Sequence, residues 1–370
     1  MIIKDEIHGT IEFSELEGRI IDSAPFQRLR RIKQMSVTNL VYPGANHTRF
    51  EHSLGTAHLA SVIAGKVGLD KDEARKVKLY ALLHDVGHTA FSHEGEDVLK
   101  KHIKDHEALG EARICRGEIA DILSENYKPR EIAGVRRSPH GSIITSDLGA
   151  DRMDYLKRDA LNTGVAYGII DTDRIVHTLA MEKGELYVGK GGLEAAEYLL
   201  VARFMMFSAV YMHRTVRIAT AMLYKAIEGS IGDGTAEAKR FADLDDESAM
   251  ALMVGSRFGG RYARALLERR LYKEVHSFPK KDCSSKQAAA LGKKLSDRVG
   301  QDIIVDYPHQ FFKPIEVKVR VEGELRPLME LSSLVESLKK AEEGRMRVLV
   351  LAEAGVREKH AERIRKLSSL

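Results

Sequence analysis

His84-Asp85-Val86-Gly87-His88-Thr89-Ala90-Phe91-Ser92-His93 is the stretch on which the reading of this chain turns. An adjacent histidine and aspartate close an apolar helical pattern that runs from Asp72 through Val77, Leu79, Tyr80, Leu82 and Leu83. Gly87 then breaks the regularity, and its backbone freedom lets His88 and His93 fold back. Upstream stands Arg49-Phe50-Glu51-His52, and downstream Asp151-Arg152-Met153-Asp154-Tyr155. His52, His84, Asp85 and Asp151 offer two imidazoles and two carboxylates from three separate segments. That set suffices for one divalent ion with positions left open for water and substrate. Eight of the 15 histidines fall between His47 and His106, which argues for a site even with His58 and His102 as bystanders.

The ligand chemistry narrows the metal. Imidazole and carboxylate together suit manganese, iron, zinc or nickel, and magnesium is compatible. A closed structural zinc site normally uses thiolates, and neither Cys115 nor Cys283 is near these residues in sequence. A metal in an open site lowers the pKa of bound water and polarises a phosphoryl oxygen. Hydrolysis also needs proton donors and cationic clamps. His88, His93, His106 and Glu107 supply candidates for the first task. Metal-assisted hydrolysis is the chemistry this pattern implies.

The rest of the chain sets the frame. At 370 residues it accommodates one large domain and a smaller one. No run of ~20 apolar residues suggests a membrane span, and Met1 to Glu6 lacks a signal-peptide pattern. Two unframed cysteines fit a reducing, cytoplasmic setting. Net charge is +4, and Arg28 to Lys33 is the densest early basic stretch, either a solvated helix face or a phosphate-binding segment. Helices are expected over Ser53–Val67, Asp72–His84, a long uninterrupted Ala195–Ile227, Asp245–Val254 and Tyr262–Val275. A hairpin is expected over Met181–Val188 with Gly184 at its turn, and a connector at Gly229–Gly234. Strand-like runs at 302–306, 315–321 and 347–351, with helices at 331–341 and 356–367, give a small α+β unit at the end. The expected fold is mainly α, a helical bundle over residues 1–230, a helical extension over 231–275 and the α+β region over 276–370.

These residues resemble the HD-domain superfamily of metal-dependent phosphohydrolases, in particular its deoxynucleoside triphosphate triphosphohydrolase branch and the prokaryotic relatives of that branch. The likeness rests on Arg19 to Asp22 with Pro25 to Gln34, Tyr42 to Ala45 with Arg49 to Gly55, His84 to His93, His106-Glu107, and Asp151 to Tyr155 with Arg158-Asp159. It implies an HD helical bundle with His52, His84, Asp85 and Asp151 as metal ligands. It implies His93 and His106 as acid–base groups, Glu107 as the residue orienting His106, and His88 beside the phosphates. Arg49 and Arg152 would clamp the phosphates, Gln34 would approach the sugar, and Tyr155 and Asp159 would meet the deoxyribose. Tyr211 and His213, with Arg214 and Arg217, would line the pocket, while Phe204 to Phe207 are core. Asp22, Gln27 and Arg30 match residues that read a regulatory guanine nucleotide, with Lys4 the nearest cation for its phosphates. The resemblance implies a homodimer or homotetramer and a nucleotide substrate, cleaved to nucleoside and inorganic triphosphate. Other outcomes of the same residues are a phosphodiesterase or phosphomonoesterase on another nucleotide, or a nucleotide- or nucleic-acid-binding protein with a regulatory metal site.

Overall fold

The computed structural model describes residues 1–308 and 316–368, and over these the chain is mainly α-helical with small sheets. Three helices position the four expected metal ligands. The first, Arg49–Lys66, starts at Thr48, whose backbone N–H donates to Glu51 Oε2 at 2.9 Å in a capping box. The second, Lys71–Leu83, starts at Asp70, whose carboxylate accepts from the backbone of Asp72 and Glu73. Gly68, at φ +76°, makes the left-handed turn that joins the two as an antiparallel pair. The third, Ala150–Thr163, packs across the first. Ile20, Phe26, Leu29, Phe50, Leu54, Leu82 and Leu156 are fully buried around them and form the main core.

At one place two of these helices come unusually close. A Cβ on Gly55 would stand 1.9 Å from Asp154 Oδ1 and 2.5 Å from Arg158 Nη2. Glycine mid-helix normally costs about 1 kcal/mol relative to alanine; here the missing side chain is what lets a charged pair lie against the helix.

The later segments depart from the expected pattern. The stretch Ala195–Ile227 is not one helix. Leu193–Met206 runs into a π-helical turn, Phe207–Tyr211, and Arg214–Gly232 leaves it at 63°. The Met212 N–H reaches the Phe207 carbonyl, and His213 then caps the second helix by accepting from the Thr215 N–H. Periodicity continues through such a break because both halves bury an apolar face. That second helix also runs through most of the expected connector, to Gly232. Tyr262–Val275 divides too: the helix ends at Leu267 and a strand begins at Lys273. No single helix among the described residues is long and apolar enough to cross a membrane.

The hairpin forms as expected, Leu179–Glu182 against Glu185–Gly189, with Lys183 and Gly184 both left-handed at the turn. Strands of the C-terminal third go to two different sheets. Arg347–Ala352 lies between Lys273–Pro279 and Ile303–Asp306, antiparallel to both. Its residues alternate between two cores: Val348 and Val350 face the helices Ser285–Val299 and Ala354–Ser368, and Leu349 and Leu351 face Arg214–Gly232. Lys318–Val321 instead joins the distant hairpin, parallel to Glu185–Gly189, with Glu324–Pro327 on its outer edge. The expected strand at 315–321 is thus seen over 318–321, and residue 315 lies outside the described residues.

Two glycines of one helix test the close approach. Gly55→Ala is expected to destabilise the protein by about 1–3 kcal/mol through overpacking. Gly65→Ala, with nothing within 4 Å of its new methyl, is expected to stabilise it by about 0.5–1 kcal/mol. Urea denaturation midpoints of the two variants should move in opposite directions.

Candidate active site

The helix arrangement gathers the four expected ligands at one end of the bundle. His52 lies in the second turn of its helix, His84 is the C-terminal cap of the next, and Asp151 sits in the first turn of the third. His52 Nε2 is 3.1 Å from Asp151 Oδ1 and 3.8 Å from Asp85 Oδ2. His84 Nε2 is 3.3 Å from Asp85 Oδ1 and 3.9 Å from Asp151 Oδ1. His52, His84 and Asp85 have ligand atoms within 4.8 Å of one another.

Both imidazoles are oriented from behind. His84 Nδ1–H donates to the Ala81 carbonyl at 2.7 Å, and His52 Nδ1–H donates to Asp154 Oδ2 at 2.8 Å. Each bond commits Nδ1 as donor and turns Nε2 inward, the arrangement that holds a metal-ligating imidazole. His84 Nε2 is buried without a hydrogen-bond partner. An orphaned nitrogen among two carboxylates and a second imidazole fits a divalent cation. Burial opposes charge on His52 most strongly, but hydrogen bonds to Asp151 and Asp154 and the charges of Asp154 and Asp85 outweigh it and push its pKa up to about 10. Burial likewise opposes ionisation of Asp85, yet Arg49, His84 and His88 hold it well below the usual carboxylate range.

Beside this set lies a second group. His88 and His106 stack at 4.1 Å between ring centres, and His93 meets both edge-on at 4.8 and 5.3 Å. His88 Nε2 is 3.3 Å from Asp85 Oδ1, so Asp85 is shared between the two groups. The carboxylate that orients His106 is Glu96, at 2.6 Å from Nδ1. Glu107, expected in that role, instead pairs with Arg136 on the rim. Burial opposes charge on Glu96, but hydrogen bonds to His106 and His93 hold its pKa far below normal.

The reversal that brings these histidines together does not come from Gly87 bending. A Cβ there would stand 2.0 Å from the His106 carbonyl oxygen and 2.3 Å from the Gly110 nitrogen, so Gly87 serves close packing of the two segments. The turn itself is made by Phe91 and Ser92, successive left-handed residues at φ 62° and 57°. Such positions cost on the order of 1–3 kcal/mol each and need bracing. Asp246 Oδ1 accepts from the Phe91 N–H at 2.7 Å, and Ser92 Oγ donates to the Lys33 carbonyl at 2.7 Å. Buried Arg28 donates to the carbonyls of Val86, His88 and Leu244. The early basic stretch is therefore largely bracing: Arg31 pairs with Asp245, and Arg30 lies 3.5 Å above the Phe50 ring.

A cleft of about 950 Å³ opens over both groups, within the range of small-ligand sites. Gln34, Arg49, Arg152 and Tyr155 reach its wall. Arg49 Nη1 lies 2.5 Å from Asp85 Oδ2, and its Nε donates to Ser92 Oγ. Arg152 pairs with Asp147, which also lies 3.3 Å from Arg203 Nη1 and accepts from the Glu316 N–H. Other expected residues stand back from the cleft. Asp159 is buried, accepting from His47 Nε2 at 2.7 Å and from the Tyr211 hydroxyl at 2.6 Å. His213 is the helix cap described above. Of the expected effector residues, Asp22 is exposed, Gln27 donates to the Ile21 carbonyl, and Arg30 Nε donates to Gln27 Oε1.

A model of the HD domain matches residues 49–161, and a model of the HD associated region matches residues 170–369. The chain belongs to the HD-domain family. An uncharacterized protein of Methanocaldococcus jannaschii is 40% identical over 360 residues, covering 92% of this chain and 76% of that one. The crystal structure of a hypothetical protein from Aquifex aeolicus superposes with a TM-score of 0.83 at 29% identity, covering 99% of each chain. Human deoxynucleoside triphosphate triphosphohydrolase SAMHD1 is 46% identical over 99 residues, 25% of this chain and 16% of its own length.

The HD segment contributes both histidine groups, while the associated region supplies the opposite wall through Glu185, Leu186, Glu316, Val317, Lys318 and Pro327. Several HD-domain residues escaped sequence reasoning. Asp154 stands three residues after Asp151 and Glu96 three after His93, a one-turn spacing that places each on the helix face of its expected neighbour. Asp147 and Arg136 there, and Asp246 in the associated region, left no local signal.

Asp154→Asn is expected to weaken divalent-metal affinity by about 10–100-fold in competition dialysis. Below a His52 pKa of about 10 a cation must displace a proton from Nε2, so wild-type affinity should rise about tenfold per pH unit from this group. In the histidine group, Glu96→Gln is expected to lower turnover by at least tenfold, and Glu107→Gln by much less, in steady-state assays.

Proposed function

We propose that this chain is a metal-dependent hydrolase of deoxynucleoside triphosphates, releasing deoxynucleoside and inorganic triphosphate. One observation carries the reading: Asp85 Oδ1 lies 3.3 Å from His84 Nε2 and 3.3 Å from His88 Nε2, so a cation position and a set of proton-transfer imidazoles share one cleft. The likeness of a 99-residue segment to the triphosphohydrolase SAMHD1 supports the substrate class.

His52, His84, Asp85 and Asp151 would hold the divalent ion, whose chemistry is to acidify water and polarise a phosphoryl oxygen. Arg49 and Arg152 face the same cleft and bind phosphate oxygens there. Glu96 keeps a proton on His106 Nδ1, leaving the other ring nitrogen to exchange a proton with the leaving 5′-oxygen. His93, exposed at the cleft, supplies the partner proton site. Tyr155 stands on the wall for the sugar, with Gln34 opposite the same opening. The reading extends to a homodimer or homotetramer and to a guanine-nucleotide effector at Asp22, Gln27 and Arg30.

A second reading, a phosphodiesterase or phosphomonoesterase on another nucleotide, is favoured by Asp159. Its carboxylate is committed to His47 and Tyr211 behind the wall, so its oxygens are not free to select a sugar.

Incubation of the manganese-loaded protein with each deoxy- and ribonucleoside triphosphate, with products resolved by chromatography, decides between them. Triphosphate as product is expected; orthophosphate or a nucleoside monophosphate sinks the first reading. Asp85→Ala and Asp151→Ala should lose activity together with the ion of the His52, His84, Asp85 and Asp151 set. His93→Ala should keep the metal and lose about 10²–10⁴ in turnover.

A further inference from the structure

Outside the His52, His84, Asp85 and Asp151 set, a second collection of metal-binding atoms is present. His88, His93, Glu96 and His106 each offer one ligand atom, and all four atoms lie within 4.8 Å of one another. Ligands around a tetrahedral cation of this class stand about 3.4 Å apart, so closing the set draws these atoms nearer and turns one ring of the stacked His88–His106 pair out of its stack. Glu96 Oε2 already lies 2.6 Å from His106 Nδ1 and 3.6 Å from His93 Nδ1. The scaffold holds them firmly. His93 and Glu96 share one face of the Ser92–Leu99 helix, and His106 opens the next helix with its N–H donated to Glu96 Oε1.

A proton relay accounts for His93, Glu96 and His106, but it leaves one atom unexplained. His88 is 1% exposed, and its Nδ1 is buried with no hydrogen-bond partner. An unpaired imidazole nitrogen in a dry place is costly. A ligand role removes that cost. Three imidazoles and one carboxylate favour a borderline ion over magnesium or calcium. His93, with 65% of its side chain exposed, leaves a path for exchange with solvent.

We propose that His88, His93, Glu96 and His106 form a second, exchangeable cation site for an ion of the zinc class. Its occupation takes the lone pairs of His93 and His106 and so blocks proton transfer; this inhibitory consequence rests on the hydrolase reading, whereas the site itself does not.

The experiment is metal counting on the full chain after equilibrium dialysis against Zn²⁺, with Co²⁺ as a spectroscopic probe. Wild type should bind two Zn²⁺ per chain. Glu96→Gln and His93→Ala should each bind one, and Asp151→Ala should retain one, with the visible absorption of four-coordinate Co²⁺ surviving in Asp151→Ala and vanishing on adding Glu96→Gln. His93 is exposed, so its alanine variant tests the site without threatening the fold, which circular dichroism melting verifies. Wild type binding only one Zn²⁺, or Glu96→Gln and His93→Ala still binding two, overturns the site. Turnover should fall at least tenfold as Zn²⁺ passes one equivalent; two bound Zn²⁺ at full turnover overturn the inhibition. A chain that binds two Zn²⁺ but hydrolyses no nucleotide keeps the site and removes the hydrolase reading.

Discussion

The buried carboxylate of Asp154 is the point on which the arrangement depends. Its two oxygens accept from His52 Nδ1 at 2.8 Å and His8 Nε2 at 2.7 Å, and Arg158 grips both, at 3.0 and 2.9 Å. Arg158 reaches onward to Asp5 Oδ2 at 3.0 Å, in an N-terminal hairpin of Ile2–Asp5 paired antiparallel with Gly9–Glu12. Burial opposes ionisation of Asp154, but Arg158, His52 and His8 hold its pKa well below normal. Replacing such a network by apolar groups is often neutral, whereas removing one partner strands a charge and costs about 3–5 kcal/mol. Its value here is therefore positional. The same contacts that anchor the N-terminal hairpin and the third helix to the first fix the tautomer of His52, an expected metal ligand, and Gly55 leaves the space they need.

The histidine loop is held by a different principle. Its left-handed turn is intrinsically unfavourable, and its carbonyls point inward where helical hydrogen bonding has ended. Arg28 satisfies three of those and neighbouring carbonyls, and Asp246 holds the Phe91 N–H. Both anchors come from outside the motif, one before it in the chain and one more than 150 residues after it. The HD motif is thus a short sequence whose geometry is maintained by remote groups. The associated region performs a comparable service for the cleft. A strand beginning at Lys318 adds to the hairpin at Glu185, and Glu316 ties it to Asp147 beside Arg152.

Much of this was legible because local pattern and site coincide. His84-Asp85 ends a helix whose apolar face is plain, and Asp151 begins another, so the helices and the ligand set could be read together. The orienting residues were harder. Glu107 adjoins His106 in sequence and looked like its partner, but consecutive residues on a helix point in different directions. Glu96, ten residues earlier, shares the space. Asp159 was legible as a polar residue one turn after Tyr155, yet its neighbours His47 and Tyr211 draw it into the interior. The long apolar run through 207–213 hid a break, since burial on both sides of a π turn preserves the periodic signal.

The amino-acid order alone determined the helical class, the hairpin, the candidate ligand set and the family, because these depend on residue chemistry and on spacing within one segment. Which carboxylate backs which imidazole, what shapes the histidine turn and which wall closes the cleft were settled only in three dimensions. Those are contacts between residues 10 to more than 200 apart, and nothing in a linear pattern measures the distance between two side chains that meet only after the chain has packed.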